Sequence, residues 1–427
     1  MASYELTNHP DIQGLLFRGY PGLGQAAYGM FQIKDREAFQ RWMQQAIEDY
    51  AFATASDGQV RRDETSRMNI GLTASGVQKL VGDGFIADTF EPAFIDGMVQ
   101  EHRSRRLGDV EVNDPKHWRW GNKGDIDGVL MVFADSREAA DALLAGHMSS
   151  ANGASLGKVI HGHTRGDGKE EFGFADGISQ PVIKDTPRYR KLAAERPREA
   201  ELNGVPAGEM VLGYKDGTGH LPRTPAVSYA TDPHGFLDQH PEWPERLDLG
   251  KNGTFMAFRQ LAQDANGFWE YLEANADTAA GETPQELAEK MVGRRMNGTS
   301  MEPDARQYPN NNEFDFANDL KGLHCPVGSH VRRSNPRSTG SDTPKGSLEV
   351  SLRHRIIRRG RPYRNDETGE VGLQFKCFNA SLHRQFEFIQ SAWCNNPQFH
   401  GLQSEIDPII GTVRPSACPF GSLDKLN

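Results

Sequence analysis

Hydrophobic and polar positions repeat in two patterns along this chain, one typical of strands and the other of helices. Short apolar or alternating runs are followed by stretches in which apolar side chains recur every three or four positions. In the first 150 residues this pattern predicts strands at 12–20, 28–33, 69–72 and 129–133. It also predicts a helix capped by Asp35 and a second helix that begins at Arg137. Strands and helices therefore alternate in this part of the chain.

The second part of the chain repeats the alternation. Its predicted strands and helices are 254–261, 268–272, 284–292, 373–378 and 382–393. Thr283 and Glu286 form a capping box around Pro284, which is a favoured residue at the first position of a helix. The last predicted helix has one buried face, formed by Leu382, Phe386, Ile389 and Trp393.

A stretch rich in Pro, Gly and Arg, residues 187–225, separates the two parts. We place a domain boundary within it, near 195–208, which gives domains 1–200 and 201–427. Two parts that each mix antiparallel strands with helices indicate an α+β pair. A single doubly wound α/β sheet is the alternative, but no GxGxxG follows a strand and no Walker lysine motif occurs. Residues 293–320 are predicted to be a long loop, which is usually functional or flexible.

Composition narrows the class of protein. A chain of 427 residues suits about two hydrophobic cores. The net charge of -10 disfavours nucleic acid as a main partner. The four cysteines have no CxxC or CxxCH spacing, which argues against a zinc site, a disulfide scaffold and a covalently attached haem. With no secretory signal and no long apolar run, we expect a cytoplasmic protein without a membrane partner, although a chain that had lost a leader would look the same.

The first segment with candidate chemistry is EFGFADGISQP, residues 171–181. It places Asp176 between Gly173 and Gly177, and glycines allow unusual backbone angles or close approach to a flat ligand. Asp176 is therefore a candidate general acid or base. Taken alone, the segment is more typical of a turn in which the aspartate bonds its own backbone.

The second segment is HCPVGSHVRRSNPR, residues 324–337. Neutral imidazole is a common ligand of haem iron, and the arginines after His330 suit a ligand that carries carboxylates. A solvated turn histidine is the alternative interpretation. His161 and His163 are a further histidine pair that could hold a metal, because side chains at i and i+2 share a strand face. We prefer two polar loop histidines there.

The third segment is RHRIIRRGRPY, residues 353–363. A solvated strand face is the usual explanation of such a basic run, and a phosphate-binding stripe is the second. The third is an arginine directed into a pocket. The apolar pair Ile356 and Ile357 before Arg358 favours partial burial, and a buried arginine needs partners.

These segments occur in the order known from one family. FGFADGISQP resembles the GxxDG motif of dye-decolourising peroxidases, HCPVGSHVRRSNPR resembles their proximal-histidine segment, and RIIRRGRPY resembles their distal-arginine strand. DIQGLLFRGY, NGTFMAFRQLAQD and GLQFKCFNASLHRQFEFIQSAW are also similar to family segments. The resemblance spans residues 11 to about 411. It ends after Arg414, because PSACPFGSLDKLN matches no final strand.

The resemblance implies two ferredoxin-like α+β domains, each an antiparallel sheet with packed helices. It implies one non-covalent haem b per chain, held mainly by the second domain. The residues it assigns to this site are His330 as the proximal iron ligand, Asp176 and Arg358 on the distal side, Arg337 at a propionate, and Gly173 and Gly177 beside the cofactor. Asp407 matches the residue that orients the proximal histidine, with Glu387 as the fallback.

The implied activity is that of a haem peroxidase, an oxidoreductase that uses hydrogen peroxide to oxidise dyes, phenols and other bulky aromatic compounds in one-electron steps through a ferryl intermediate. Asp176 would carry a proton and Arg358 would stabilise developing charge. Trp393 is the candidate for electron transfer from dyes too large for the cavity, although its spacing also fits core packing. Because an unperturbed aspartate has a pKa of about 3.9 and a histidine about 6.5, a carboxylate base predicts an acidic optimum.

Two other classes of protein compete with a peroxidase. One is a haem-binding or haem-handling protein without efficient turnover. The other is a non-haem metal protein that uses His161, His163 and Asp176. A carrier has no need for the distal pair, so the sequence favours the peroxidase. It predicts neither an oligomeric state nor the physiological reductant.

Overall fold

The computed structural model describes residues 5–57, 64–122, 124–303, 311–340 and 343–412. The helices in these residues are α1 (Arg36–Glu48), α2 (Ala74–Val81), α3 (Pro92–Asp96), α4 (Glu101–Leu107), α5 (Arg137–Ser150), α6 (Pro187–Glu195), α7 (Pro197–Asn203), α8 (Ala265–Asn275), α9 (Pro284–Val292), α10 (His330–Ser334) and α11 (Pro344–Arg353). A last helix with π-type turns, here named the late helix, covers His383–Glu387 and Ile389–Cys394. The described parts of the chain contain no helix that is both long and apolar enough to span a membrane.

The strands in the same residues are β1 (Gln25–Ile33), β2 (Ser66–Leu72), β3 (Gly128–Ala134), β4 (Ala154–His163), β5 (Val182–Ile183), β6 (Gly204–Val205), β7 (Ala226–Val227), β8 (Leu247–Asp248), β9 (Phe255–Ala262), β10 (Ile357–Arg358), β11 (Arg361–Arg364) and β12 (Val371–Asn379). The predicted strands at 28–33, 69–72, 129–133, 254–261 and 373–378 are confirmed. So are the helices after Asp35, at Arg137 and after the Thr283 capping box.

The first sheet is antiparallel, with the strand order β2-β3-β1-β4. Strands β1 and β3 are buried on both faces, since successive side chains point alternately to two cores. On one face, Phe31 and Leu130 pack against Phe39 of α1 and Leu144 of α5. With helices between β1 and β2 and between β3 and β4, this is the ferredoxin-like arrangement.

The second sheet has β12 in its centre, with β9 on one side and both β10 and β11 on the other, all antiparallel. The late helix covers it, because Leu382 and Phe386 pack with Phe255 and Cys377. The expected pair of α+β domains, each an antiparallel sheet with packed helices, is confirmed. One sheet ends at residue 163 and the other begins at 255, so a domain division near residue 200 remains a reasonable proposal.

The two sheets share one core. Tyr28 and Phe133 of the first sheet pack in the same cluster as Ile357 and Phe378 of the second. Lys376 of β12 is buried in this junction, where its Nζ donates to Tyr28 Oη at 2.9 Å. The two halves of the chain are therefore held in a fixed relation, and residues from both can form one site.

Two local predictions are wrong. Residues 12–20 contain a short 3-10 turn, Gly14–Leu16, rather than a strand. Their apolar side chains are buried in the core shared by the sheets, but their N–H groups bond locally or to neighbouring loops. His161 and His163 lie on β4, not in a loop, because β4 pairs with β1 up to His163.

Candidate active site

A cavity of about 820 Å³ lies where the first half of the chain meets the second sheet. Asp176, His330 and Arg358 all line it. These residues come from a loop after β4, from the first turn of α10 and from β10. The fold thus brings together the three segments that carry the candidate chemistry.

Asp176 and Arg358 form an ion pair inside this cavity. Arg358 Nη1 donates to Asp176 Oδ1 at 3.0 Å, and the backbone N–H of Gly177 donates to the same oxygen at 2.6 Å. The two side chains are 32% and 29% exposed, so both remain accessible from the cavity. No described residue bonds to Asp176 Oδ2. This oxygen is available to a proton donor in the cavity.

The turn around Asp176 depends on its two glycines. Gly173 has a φ of 96° and Gly177 a φ of 75°, which are angles that other residues rarely adopt. The described wall of the cavity is formed by their neighbours, including Phe172 and Ala175, rather than by the glycines. Their demonstrated contribution is to the backbone of the turn, and direct contact with a flat ligand stays a prediction.

His330 is backed by a buried carboxylate. His330 Nδ1 lies 2.9 Å from Asp407 Oδ2, and Asp407 Oδ1 accepts from the backbone N–H groups of Ile409 and Ile410. Burial alone would lower the pKa of His330, but the charge and hydrogen bond of Asp407 outweigh it and raise that pKa. Burial opposes ionisation of Asp407, yet His330 holds the pKa of Asp407 below its usual value. With Nδ1 occupied, Nε2 is the ring nitrogen left for a ligand.

Glu387, the alternative partner of His330, lies elsewhere. Its carboxylate accepts from Arg103 at 2.9 Å and lies 3.2 Å from Nδ1 of His383. Of the two acids considered from the sequence, only Asp407 is in contact with His330.

Three buried arginines lie beside the cavity without an acid partner. Arg294 and Arg355 line the wall, and Arg337 is buried next to them. In the described residues none of the three is ion-paired, and Arg337 Nε and Nη2 and Arg294 Nε have no hydrogen-bond partner. Burial, with nearby arginines acting in the same direction, lowers the pKa of Arg355 to about 9 and of Arg294 to about 10, and burial holds the pKa of Arg337 well below its usual value. Buried guanidinium groups in this condition suit an anionic ligand.

The non-haem metal hypothesis is wrong for the part of the chain that the structure describes, where no three His, Cys, Asp or Glu side chains form a metal-binding group. His161 Nε2 lies 2.7 Å from Asp141, and Asp176 is paired with Arg358.

Trp393 is buried rather than exposed. Only 8% of it is accessible, and its ring packs edge-on against Phe388 and His354 at 5.3 and 5.2 Å. The predicted buried face of the late helix is confirmed, since Leu382, Phe386 and Ile389 are buried as well.

Several residues of the cavity were not found from the sequence. Glu170 lines it six positions before Asp176, and Trp118, Trp120 and Arg259 line it as well. The guanidinium of Arg259 lies over the Trp118 ring at 5.7 Å and is paired with Asp109. The two tryptophans in the polar segment HWRW could have indicated a binding surface, because large aromatic side chains are uncommon in loops without a contact role.

Two family models match this chain. The model described as the DyP dimeric alpha+beta barrel domain matches residues 11–166, and the model described as Dyp-type peroxidase, C-terminal, matches residues 210–402. The fold and the match together define a peroxidase, an oxidoreductase. The chain belongs to the DyP-type peroxidase family, known as dye-decolourising peroxidases.

Similar proteins come from fungi and bacteria. The dye-decolorizing peroxidase msp1 of Mycetinis scorodonius is 26% identical over 437 residues, which cover 95% of this chain and 77% of that protein. The multifunctional dye peroxidase DyP2 of Amycolatopsis is 28% identical, covering 81% and 72% of the two chains. A solved ancestral D-type dye decolorizing peroxidase superposes with a TM-score of 0.74 at 27% identity, covering 96% and 89%.

Proposed function

We propose that this chain is a haem b peroxidase that uses hydrogen peroxide to oxidise dyes, phenols and other bulky aromatic reductants in one-electron steps. The observation that carries the proposal is a single cavity lined by both a carboxylate-backed imidazole and a carboxylate–guanidinium pair. A haem carrier would need only the imidazole backed by a carboxylate. A dye-decolorizing peroxidase of this fold has been solved in complex with 2,6-dimethoxyphenol, a compound of the proposed substrate class.

The residues around the cavity fit a haem. His330 offers Nε2 to an iron, and the unpaired N–H groups of Arg337 and Arg294 suit the carboxylates of the cofactor. These residues and Asp407 all belong to the second half of the chain, which supports a cofactor held mainly there. When bound, haem supplies an iron that takes up peroxide and stores its oxidising equivalents.

The residues of this chain would then act on protons and charge. Asp176 Oδ2 takes a proton from one oxygen of peroxide and returns it to the departing oxygen. Arg358 holds the carboxylate by its bond to Oδ1 and offers N–H groups to the charge that develops as the O–O bond breaks. Asp407 fixes the tautomer of His330 and increases the basicity of its ring.

An absorption spectrum before and after peroxide tests this proposal. The purified protein should show a haem Soret band that changes on addition of peroxide and returns as a dye or phenol is oxidised. A stable Soret band without dye oxidation would favour the haem-handling protein, and no haem band after reconstitution would reject both.

Arg337→Met should weaken haem binding about 10- to 100-fold, because charge-assisted hydrogen bonds are worth about 1.5–3 kcal/mol. Haem titration of the apo-protein measures the effect. Arg361→Met is the matched control, since Arg361 is also buried but donates its N–H groups to the carbonyls of Leu23 and Tyr20. Arg361→Met should lower the melting temperature and leave haem affinity unchanged. Equal affinities in the two variants would contradict the assignment of Arg337.

Trp393→Phe should slow the oxidation of large dyes more than that of small phenols, because we propose Trp393 as an internal relay for reductants that cannot enter the cavity. Steady-state rates with one dye and one phenol measure the difference. Trp42→Phe is the control, since Trp42 is equally buried, at 8%, but packs in the core under α1. If both substrates slow equally in Trp393→Phe, this residue serves core packing alone.

A further inference from the structure

Glu170 is a half-buried carboxylate at the entrance to the turn that carries Asp176. Its Oε1 accepts from the backbone N–H of Phe174 at 2.8 Å, and its Oε2 accepts from the N–H of Phe172 at 2.9 Å. Oε2 also accepts from Gln263 Nε2 at 2.6 Å. One side chain therefore binds two amides of the turn and a residue from the other half of the chain.

The turn is also anchored by apolar packing. The Phe172 ring stacks on Phe268 of α8 at 4.4 Å, and Phe174 is buried against Leu272. The N–H of Ala175, the residue before Asp176, donates to Met296 at 3.0 Å. Apolar packing anchors the side chains of the turn, and Glu170 bonds its backbone at Phe172 and Phe174.

Gln263 connects this turn to the second sheet. It follows β9 directly, and its backbone N–H donates to Val371 of β12 at 2.9 Å. Strand β12 also pairs with β10, which carries Arg358. The bond from Gln263 to Glu170 therefore links the turn of Asp176 to the sheet that carries Arg358.

An ionised side chain is unfavourable at this place. Burial raises the pKa of Glu170, with its three hydrogen bonds acting against this, and the nearby Asp176 raises it further. Placing one carboxylate beside another costs stability, so side-chain packing alone does not explain a glutamate at this position. Glu170 accepts hydrogen bonds from two backbone N–H groups of the turn, and it forms one hydrogen bond between the two halves of the chain.

We propose that Glu170 is a positioning residue for the reaction with peroxide: it fixes the turn so that Asp176 meets Arg358 in the cavity. This inference rests on the role proposed for Asp176. Glu170 acts on Asp176 through the backbone of the turn and through Gln263, and it transfers no proton itself.

Glu170→Gln in the haem-loaded enzyme tests the inference, because the amide keeps the size of the side chain but presents an N–H₂ to donors. The second-order rate with peroxide should fall about 10- to 100-fold, since small displacements of a catalytic group have effects of this size. The KM for a dye and the Soret band should stay unchanged. Amide hydrogen exchange at Phe172 and Phe174 should accelerate in the apo-protein, which a loss of general stability alone would not confine to these two sites.

Glu171→Gln is the matched control. Glu171 is the adjacent carboxylate, and it pairs with Arg165 at 3.1 Å rather than with the turn. It should keep the parent rate with peroxide. If Glu170→Gln and Glu171→Gln behave alike, the inference is overturned.

Two further variants keep the test decisive. Gln263→Met leaves both backbone hydrogen bonds of Glu170 in place and removes only its bond to the second sheet, so the peroxide rate should fall less than in Glu170→Gln, at unchanged dye KM. An unchanged rate would refute the role of this bond even if Glu170→Gln failed to fold.

Asp176→Asn separates this inference from the proposed function. If Asp176→Asn reacts with peroxide at the parent rate, the role of Asp176 fails. If Asp176→Asn is slow while the Glu170 and Gln263 variants are not, only the positioning role fails.

Discussion

His330→Ala is expected to abolish peroxidase turnover and to eliminate the Soret band of an iron bound by imidazole. The variant removes the only nitrogen that we assign to the iron, and it leaves Asp407 buried, at 2% exposure, with the two amide bonds from Ile409 and Ile410. The buried Asp407 carboxylate would lose its imidazole partner, so the apo-protein should also melt earlier. Spectra of the reconstituted protein and thermal melting measure both effects.

Two variants show whether this loss comes from coordination. Asp407→Asn keeps the imidazole but weakens its partner, and should reduce haem affinity or activity about 10- to 100-fold. His240→Ala removes another buried histidine, whose ring bonds Thr224 away from the cavity, and should lower stability without changing the haem band. Added imidazole should partly restore the band of His330→Ala. An unchanged band in His330→Ala would show that the iron is held elsewhere.

The sequence predicted strands where burial leaves a clear pattern, either a continuous apolar run or an alternation such as that of β9. Strands β1 and β3 lie between two cores, so their apolar runs are long and unambiguous. Residues 12–20 are also apolar, but they fill the junction between the sheets without joining either sheet, because hydrophobicity reports burial rather than strand pairing. Strand β4 was missed because residues 155–158 are exposed and include one large apolar side chain, Leu156, and because its pairing with β1 is a long-range property of the backbone.

The sequence predicted the motifs of the candidate site, but not all of the contacts between them. Asp176, His330 and Arg358 are far apart in the sequence, and the order of their segments, rather than any one of them, indicated that they belong together. The resemblance favoured Asp407 over Glu387 as the partner of His330, and the three-dimensional contact agrees with that order. Glu170 and Arg355 were not singled out, since their contacts with the distant side chains of Gln263 and Asn203 exist only in the folded chain.

Asp176→Asn is expected to reduce the second-order rate with peroxide about 10²- to 10⁴-fold, the usual contribution of a general acid–base group. The amide keeps the shape of the side chain and can still accept from Arg358, but it cannot take a proton at the position of Oδ2. The Soret band and haem affinity should persist, because the contacts assigned to the haem are made by other residues. Stopped-flow measurement of the haem spectrum after mixing with peroxide isolates this step from dye oxidation.

The control for this variant is Asp167→Asn, a nearby aspartate paired with Arg165 at 3.0 Å, which should react at the parent rate. Arg358→Leu should slow the same step, and the double variant should be little slower than the worse single one, because groups that act as a unit have non-additive effects. Fully multiplicative losses would mean that the two side chains assist peroxide independently, despite the 3.0 Å contact between them. A parent-like rate in Asp176→Asn would remove the carboxylate from the mechanism and leave Arg358 as the sole polar group of this pair with a catalytic role.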